Sequence, residues 1–195
     1  MPAHTTGSQR GGLVVISAPS GGGKTTIARQ VMIAFPSLSF SVSATTRPKR
    51  EGETDGKDYF FLAKEEFRRR VEAGEFVEWE EIYGNLYGTL KCEVDRALGE
   101  GRNILFDVDV KGGLSIKKHY PGSLLIFIRP PSLAVLEQRL RDRHTEDSSA
   151  LERRLSRVPM ELELGGKFDH QIVNDALSHA VAEVQSIIRG YLDGH

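Results

Sequence analysis

The sequence reads as an α/β protein, a doubly wound parallel sheet flanked by helices, with two insertions. Apolar runs at residues 13–16, 104–108, 124–128 and 172–173 show little polar alternation, as strands covered on both faces do. Helical patterns fall between them, so strand and helix alternate as in βαβ units. A glycine-rich segment joins the first run to the first helical pattern.

Taken in order, residues 1–12 are polar and Gly-rich, without the apolar stretch of a secretory signal, and read as a disordered leader. After the first run, Ile27, Val31 and Phe35 share one helical face. Residues 42–91 break the rhythm with alternating segments at 59–62 and 76–80, a helical pattern at 65–73 and several glycines, the marks of an inserted subdomain. Leu133, Leu136 and Leu140 share a face after the third run. The densely charged residues 139–163 form a second insertion, a mobile lid. There Ser149 and Glu152 make a capping box, and Leu151, Leu155, Val158 and Leu162 form a stripe. Pro159 lacks the N–H that a helix needs, so a kink or break is expected there. Val181, Val184 and Ile188 mark the last helix. The core thus comprises about 13–41, 92–138 and 164–195.

The chain has 195 residues, 39% of them hydrophobic, enough for one substantial core. Its 26 basic and 27 acidic residues nearly cancel, which argues against a nucleic-acid polymer or an anionic membrane as partner. No apolar run is long enough to span a bilayer. Cys92 is the only cysteine, so there is no disulfide framework; it reads as a partly buried apolar thiol, and the cytoplasm is the default location. Monomer and homodimer are equally compatible with the sequence.

Chemistry enters at Ala18-Pro19-Ser20-Gly21-Gly22-Gly23-Lys24-Thr25, between a buried strand and an amphipathic helix. Backbone N–H groups and the positive end of a helix dipole there converge on a space suited to phosphate oxygens. Lys24 reaches the β- and γ-phosphates as a point charge, and the Thr25 hydroxyl suits Mg²⁺. Ala18 stands where the general motif has its first glycine, a change tolerated if φ stays negative.

Together with Ser41-Val42-Ser43-Ala44-Thr45-Thr46-Arg47-Pro48-Lys49-Arg50, this loop closely resembles the guanylate kinase family. Further matches follow in the family's order: Gly56-Lys57-Asp58-Tyr59-Phe60-Phe61, Glu78-Trp79, Gly84-Asn85-Leu86-Tyr87-Gly88-Thr89, Asp107-Val108-Asp109 and Val173-Asn174-Asp175. The resemblance spans about residues 13–191. It implies transfer of the γ-phosphoryl group of ATP to GMP or dGMP, with Mg²⁺. The insertion at 42–91 then becomes the GMP-binding subdomain.

The resemblance further implies that Arg47, Arg50, Tyr59 and Tyr87 hold the GMP phosphate while Ser43, Glu78 and Thr89 read guanine. Paired guanidinium forks suit a phosphate. Guanine offers N1–H and N2–H₂ as adjacent donors to the two oxygens of a carboxylate, a pair adenine lacks. Asp107 and Asp109, at the carboxyl end of a strand, resemble a Walker B position between GMP and the metal-bound phosphates. Thr26 joins Ala18 to Thr25 in the ATP site, and Asn174 is expected to help position adenine. Arg139 is expected on the ATP phosphates, with Arg143 and Arg154 clamping the transferring phosphoryl group; Lys24 and Arg47 complete the catalytic set. Lys111 and His144 depart from the usual residues, Gln and Gly; Lys111 could aid phosphate binding or pair with Asp109. Arg68, Arg69 and Arg70, like Arg141 and Arg153, are assigned to solvated faces.

Taken singly, each of these residues is ordinary. Two other classes share parts of the pattern: a non-catalytic domain that recognises phosphorylated segments, and a P-loop kinase with another acceptor. Lys24 and Thr25 speak against the first. Ser43, Glu78 and Thr89 speak against the second.

Overall fold

The protein is described by a computed structural model, covering residues 11–82, 84–141 and 148–194. In chain order the first half runs β1 (Leu13–Ser17), α1 (Lys24–Ala34), β2 (Leu38–Phe40), β3 (Ala44–Thr45), β4 (Phe60–Phe61), α2 (Lys64–Glu72), β5 (Phe76–Ile82) and β6 (Asn85–Leu90). The second half runs α3 (Lys91–Gly99), β7 (Asn103–Asp107), α4 (Val110–His119), β8 (Leu124–Arg129), α5 (Leu133–Arg141), α6 (Ser148–Gly165), β9 (His170–Val173) and α7 (Leu177–Asp193).

Five strands form one sheet in the order β2-β7-β1-β8-β9, every pairing parallel. All five residues of β1 are buried, because strand alternation sends its side chains into two cores. Val14 and Ile16 face a core with Leu105, Ile126, Ile172, Ile27 and Val184. Leu13 and Val15 face the other, with Phe106, Val110, Ile116, Phe127 and Phe168. Helices on both faces account for the unbroken apolar runs. The expected runs recur as β1, β7, β8 and β9. The edge strand β2 adds a fifth that no run announces, since of its three residues only Leu38 is buried.

Residues 44–90 build a second sheet, β4-β3-β6-β5, in which β5 and β6 are antiparallel. Phe67 of α2 stacks on Phe76 with ring centroids 4.3 Å apart, in a small core with Ala44, Leu86 and Leu90. On the outer face of α2, Glu66 pairs with Arg69 and Arg70, which hold its carboxyl down to about 2; Arg68 is exposed.

Several local expectations give way to tertiary packing. Gly11 and Gly12, counted with the leader, are buried; the Gly12 N–H donates to Asn103 Oδ1 at 2.7 Å. Close by, the Leu13 N–H donates to the Tyr191 hydroxyl at 3.1 Å, and that hydroxyl donates to the Gly122 carbonyl at 2.9 Å. Leu133 is 60% exposed while Leu136 and Leu140 are buried, so the buried stripe of α5 begins one turn later than expected. Cys92 is exposed, against the expectation of a partly buried thiol. The capping-box side chain of Ser149 and the stripe residue Leu151 lie outside the described side chains.

Helix α6 runs through Pro159 without a break. Val158 packs with Leu136, Leu140, Leu155 and Leu162, while Met160, Leu162 and Leu164 reach the sheet core. This anchorage outweighs the roughly 3 kcal/mol by which an interior proline disfavours a helix. It also fixes the second half of the lid helix to the core. Pro159→Ala, which restores an N–H for the Leu155 carbonyl at an exposed position, is expected to stabilise the protein by about 1–3 kcal/mol in urea unfolding.

Candidate nucleotide-binding site

The loop between β1 and α1 is shaped by its glycines and held from beneath. Gly23 caps α1 at φ 94°, a left-handed conformation, and a Cβ there would lie 2.4 Å from Asn174 Nδ2. The first turn of α1 contains no acidic residue, so its N–H groups and dipole meet no side-chain anion of that helix. Thr25 and Thr26 are exposed on this turn. The Asn174 side chain, on a residue only 4% exposed, donates to the Gly22 carbonyl at 3.0 Å. Arg139 donates to the Asn174 carbonyl at 3.0 Å.

Lys24 lies across the end of β7. Its Nζ donates to the Val108 carbonyl at 3.1 Å and sits 2.6 Å from Asp107 Oδ1, an oxygen that otherwise has no hydrogen-bond partner. A cavity of about 280 Å³ opens over the loop, walled by residues 18–26 together with Glu80, Asp109, Arg157 and Glu161. Arg154 of α6 donates to Ser20 Oγ at 3.3 Å, bringing one lid arginine onto the loop. Glu161 is 6% exposed; burial raises its proton affinity, opposed by Arg157 and by the Ser20 backbone.

The second sheet gathers another constellation. β5 and β6 pair Glu78 opposite Thr89, and the Thr89 hydroxyl donates to Glu78 Oε1 at 2.6 Å. The Glu78 carboxylate also approaches α4 so closely that a Cβ on Gly112 would lie 3.4 Å from Oε2. Burial pushes the Glu78 pKa up, and the charges of Asp109 and Glu80 add to the rise; the Thr89 hydrogen bond opposes it. At the far end of the sheet, Arg47 lies over the Tyr59 ring at 5.3 Å, and Tyr59 meets Tyr87 edge-on at 6.2 Å. Glu53 grips Arg47 through two hydrogen bonds, of 2.6 and 3.1 Å, and accepts the Arg50 N–H at 2.8 Å.

Residues 10–191 match the sequence model of the guanylate kinase family. The chain belongs to this family. It is 50% identical over 183 residues to the guanylate kinase of Chlorobium luteolum, covering 93% of both chains. It is 47% identical over 180 residues to that of Thermotoga maritima, covering 92% of this chain and 87% of the relative. Among solved structures, the guanylate kinase of Anaplasma phagocytophilum superposes with a TM-score of 0.69 at 29% identity, covering 94% of this chain and 87% of that one.

Set beside the residues the family resemblance singles out, the geometry brings most into two groups. Ala18 to Thr26, Asp107, Asp109, Arg139 and Arg154 surround the glycine-rich loop, while Arg47, Tyr59, Tyr87, Glu78 and Thr89 line the second sheet. Ser43 stands beside β3, its carbonyl accepting the Phe60 N–H. Arg50 is exposed and fixed by its backbone. Arg143 and His144 lie outside the described residues. Asn174, expected to help position adenine, is buried beneath the loop with its amide donating to the Gly22 carbonyl. Lys111 is exposed, and Asp109 takes Gly112 N–H at 2.8 Å and Arg157 at 3.4 Å.

Four residues at these sites belong to no recognisable motif: Glu53, Glu80, Arg157 and Glu161. Only Glu53 carries a usable sequence signal, as an acid a few residues past a pair of arginines in a turn-rich loop. The two threonines preceding Arg47 also act as hydrogen-bond acceptors: Thr45 Oγ1 takes the Arg47 N–H at 3.1 Å and Thr46 Oγ1 takes the Leu86 N–H at 2.9 Å.

The raised pKa of Glu78 fixes the sign of its effect on stability. The folded carboxyl holds its proton more tightly than the unfolded one, so the ionised group costs stability at neutral pH, and that cost fades as pH falls through the folded pKa. Glu78→Gln is therefore expected to keep or raise the thermal midpoint at pH 7, with the gain shrinking in acid. Calorimetry across pH 4–8 checks the trend.

Proposed function

We propose that this guanylate kinase family member transfers the γ-phosphoryl group of ATP to GMP, and also to dGMP, giving ADP and GDP in the cytoplasm with Mg²⁺. The observation that carries this reading is a junction. Strand β5 presents Glu78 to Thr89 and, two residues on, Glu80 to the wall of the cavity over the glycine-rich loop. Donor and acceptor sites thus share one strand.

On the donor side, the loop N–H groups and Lys24 take the β- and γ-phosphates of ATP, in a site already biased toward anions. Asn174 maintains the loop's shape from below, with Arg139 steadying Asn174. Arg154, which reaches Ser20 of the loop, is assigned to the γ-phosphate, and Arg143 is assigned the same role from the lid. Their positive charge offsets the negative charge on the equatorial oxygens as the phosphoryl group moves.

On the acceptor side, Arg47 and Arg50 take the GMP phosphate with Tyr59 and Tyr87. Glu53 and the Tyr59 ring hold the Arg47 guanidinium in place, so little side-chain freedom is lost on binding. Glu78 accepts from guanine N1–H and N2–H₂, with Ser43 and Thr89 completing the edge. An adenine in that seat would leave the carboxylate unmatched, a mismatch of the kind that rejects analogues strongly.

The residues present fit a magnesium ion brought in by the nucleotide. Asp107 Oδ1 and the Thr25 hydroxyl are hard oxygen donors at the end of β7 and the start of α1, and Asp107 Oδ1 meets no polar group but Lys24 Nζ. Among the described residues no group of three His, Cys, Asp or Glu side chains is placed to hold a metal, so a bound ion would depend on the nucleotide and water for its remaining ligands. When bound, the ion neutralises charge on the β- and γ-phosphates. Asp107 must then share its carboxylate between Lys24 and the ion's waters.

Two measurements test the reading. Lys24→Met is expected to lower kcat by about two orders of magnitude or more with the fold retained; near-normal turnover overturns the role of the loop. In a coupled ADP-release assay GMP and dGMP are expected to be used and AMP, CMP and UMP to be poor acceptors. Equal turnover of AMP and GMP would contradict the role of Glu78.

A further inference from the structure

Arg157 lies on α6 one turn beyond Arg154 and extends across the cavity mouth. Its Nη2 is 3.1 Å from Glu80 Oε1 and 3.4 Å from Asp109 Oδ2, and its Nε is 3.7 Å from Glu161 Oε1. These partners sit on three separate parts of the molecule. Glu80 belongs to the strand that carries Glu78, Asp109 caps α4 at the end of β7, and Glu161 is on the core-anchored half of α6. All four residues wall the same cavity.

Their charges explain why the arrangement needs a cation. Three carboxylates converge beside a space meant for phosphates, and without Arg157 they would repel one another and the incoming nucleotides. Glu161 is poorly supplied by itself, since its buried Oε2 has no hydrogen-bond partner. Because Glu78 and Glu80 are two apart on β5, they point to the same face, and a force on Glu80 is felt directly at the residue that reads the base.

We propose that Arg157 is a positioning residue for phosphoryl transfer: by pairing with Glu80 across the cavity, it sets the distance between the base-reading strand and the phosphate loop. Its anchor is Glu161 and Asp109, both fixed to the core, and its load is β5. In-line transfer depends steeply on such spacing, because about 1 Å of misplacement can cost on the order of 100-fold in rate. The inference rests on the phosphotransfer reading, but it fails separately: wild-type turnover of GMP tests that reading, and the coupling between Arg157 and Glu80 tests this one.

The test is a double-mutant cycle on the full chain with Arg157→Ala, Glu80→Gln and the combination, following kcat and both KM values. Each single change is expected to lower kcat about three- to tenfold and raise the GMP KM severalfold, leaving the ATP KM within about twofold, in line with a half-exposed ion pair acting on alignment. The double variant is expected to be no worse than either single one, and Arg157→Lys to recover part of kcat. The coupling should weaken at high salt. Multiplying losses in the double variant, or an ATP KM that rises as much as the GMP KM, would overturn the proposal. So would wild-type kinetics in Glu80→Gln, a half-exposed site whose substitution leaves the core intact.

Discussion

Everything in this molecule is arranged around a turn that cannot hold its own shape. Six residues separate the buried strand β1 from helix α1, and Gly23 turns the chain through a left-handed conformation that leaves no room for a side chain. The Asn174 amide grips the Gly22 carbonyl from below, and Lys24 reaches back to the end of β7. Both supports come from strand ends of the parallel sheet, β9 and β7, on opposite sides of β1, with β8 between β1 and β9. The doubly wound topology thus delivers the braces of the loop as well as the loop itself.

Around the loop the balance is electrostatic. The chain places Asp107, Asp109, Glu80 and Glu161 near a cradle that attracts anions, and offsets them with Lys24, Arg154 and Arg157. Glu78 shows the other side of that balance. Burial, with the charges of Asp109 and Glu80, raises its proton affinity, yet the chemistry assigned to it needs the ionised form, so stability is traded for recognition at that position. Arg47 is the reverse case: its charge is satisfied by Glu53 and two aromatic rings, an arrangement that leaves the guanidinium oriented and nearly buried.

What the sequence discloses follows the range of the interactions involved. Strands covered on both faces and the glycine-rich turn are local patterns, and β1, β7, β8, β9 and the loop at Gly21 to Lys24 are readable from them. The ordered motifs that resemble the family also pair Glu78 with Thr89, which the β5–β6 register places face to face. Contacts between distant segments are not readable. The brace that Asn174 gives the loop has no local signal, because Gly22 is 152 positions away. Pro159 reads as a helix breaker because the packing of Val158 and Met160 against other elements has no sequence signature. Arg157 carries no sequence signal, since its partners lie on β5, at the start of α4 and on the next turn of its own helix.

The Tyr191 hydroxyl, wedged between the Leu13 N–H and the Gly122 carbonyl, brings the start of the first strand and the last turn of the last helix side by side. The folded body is therefore nearly closed in backbone terms. A short peptide bridge could join its two ends without stretching, and the polypeptide could then be opened at an exposed bend such as residues 73–74. A reordered chain of that kind would keep the loop, its braces and both nucleotide seats, because none of them lies at the seam.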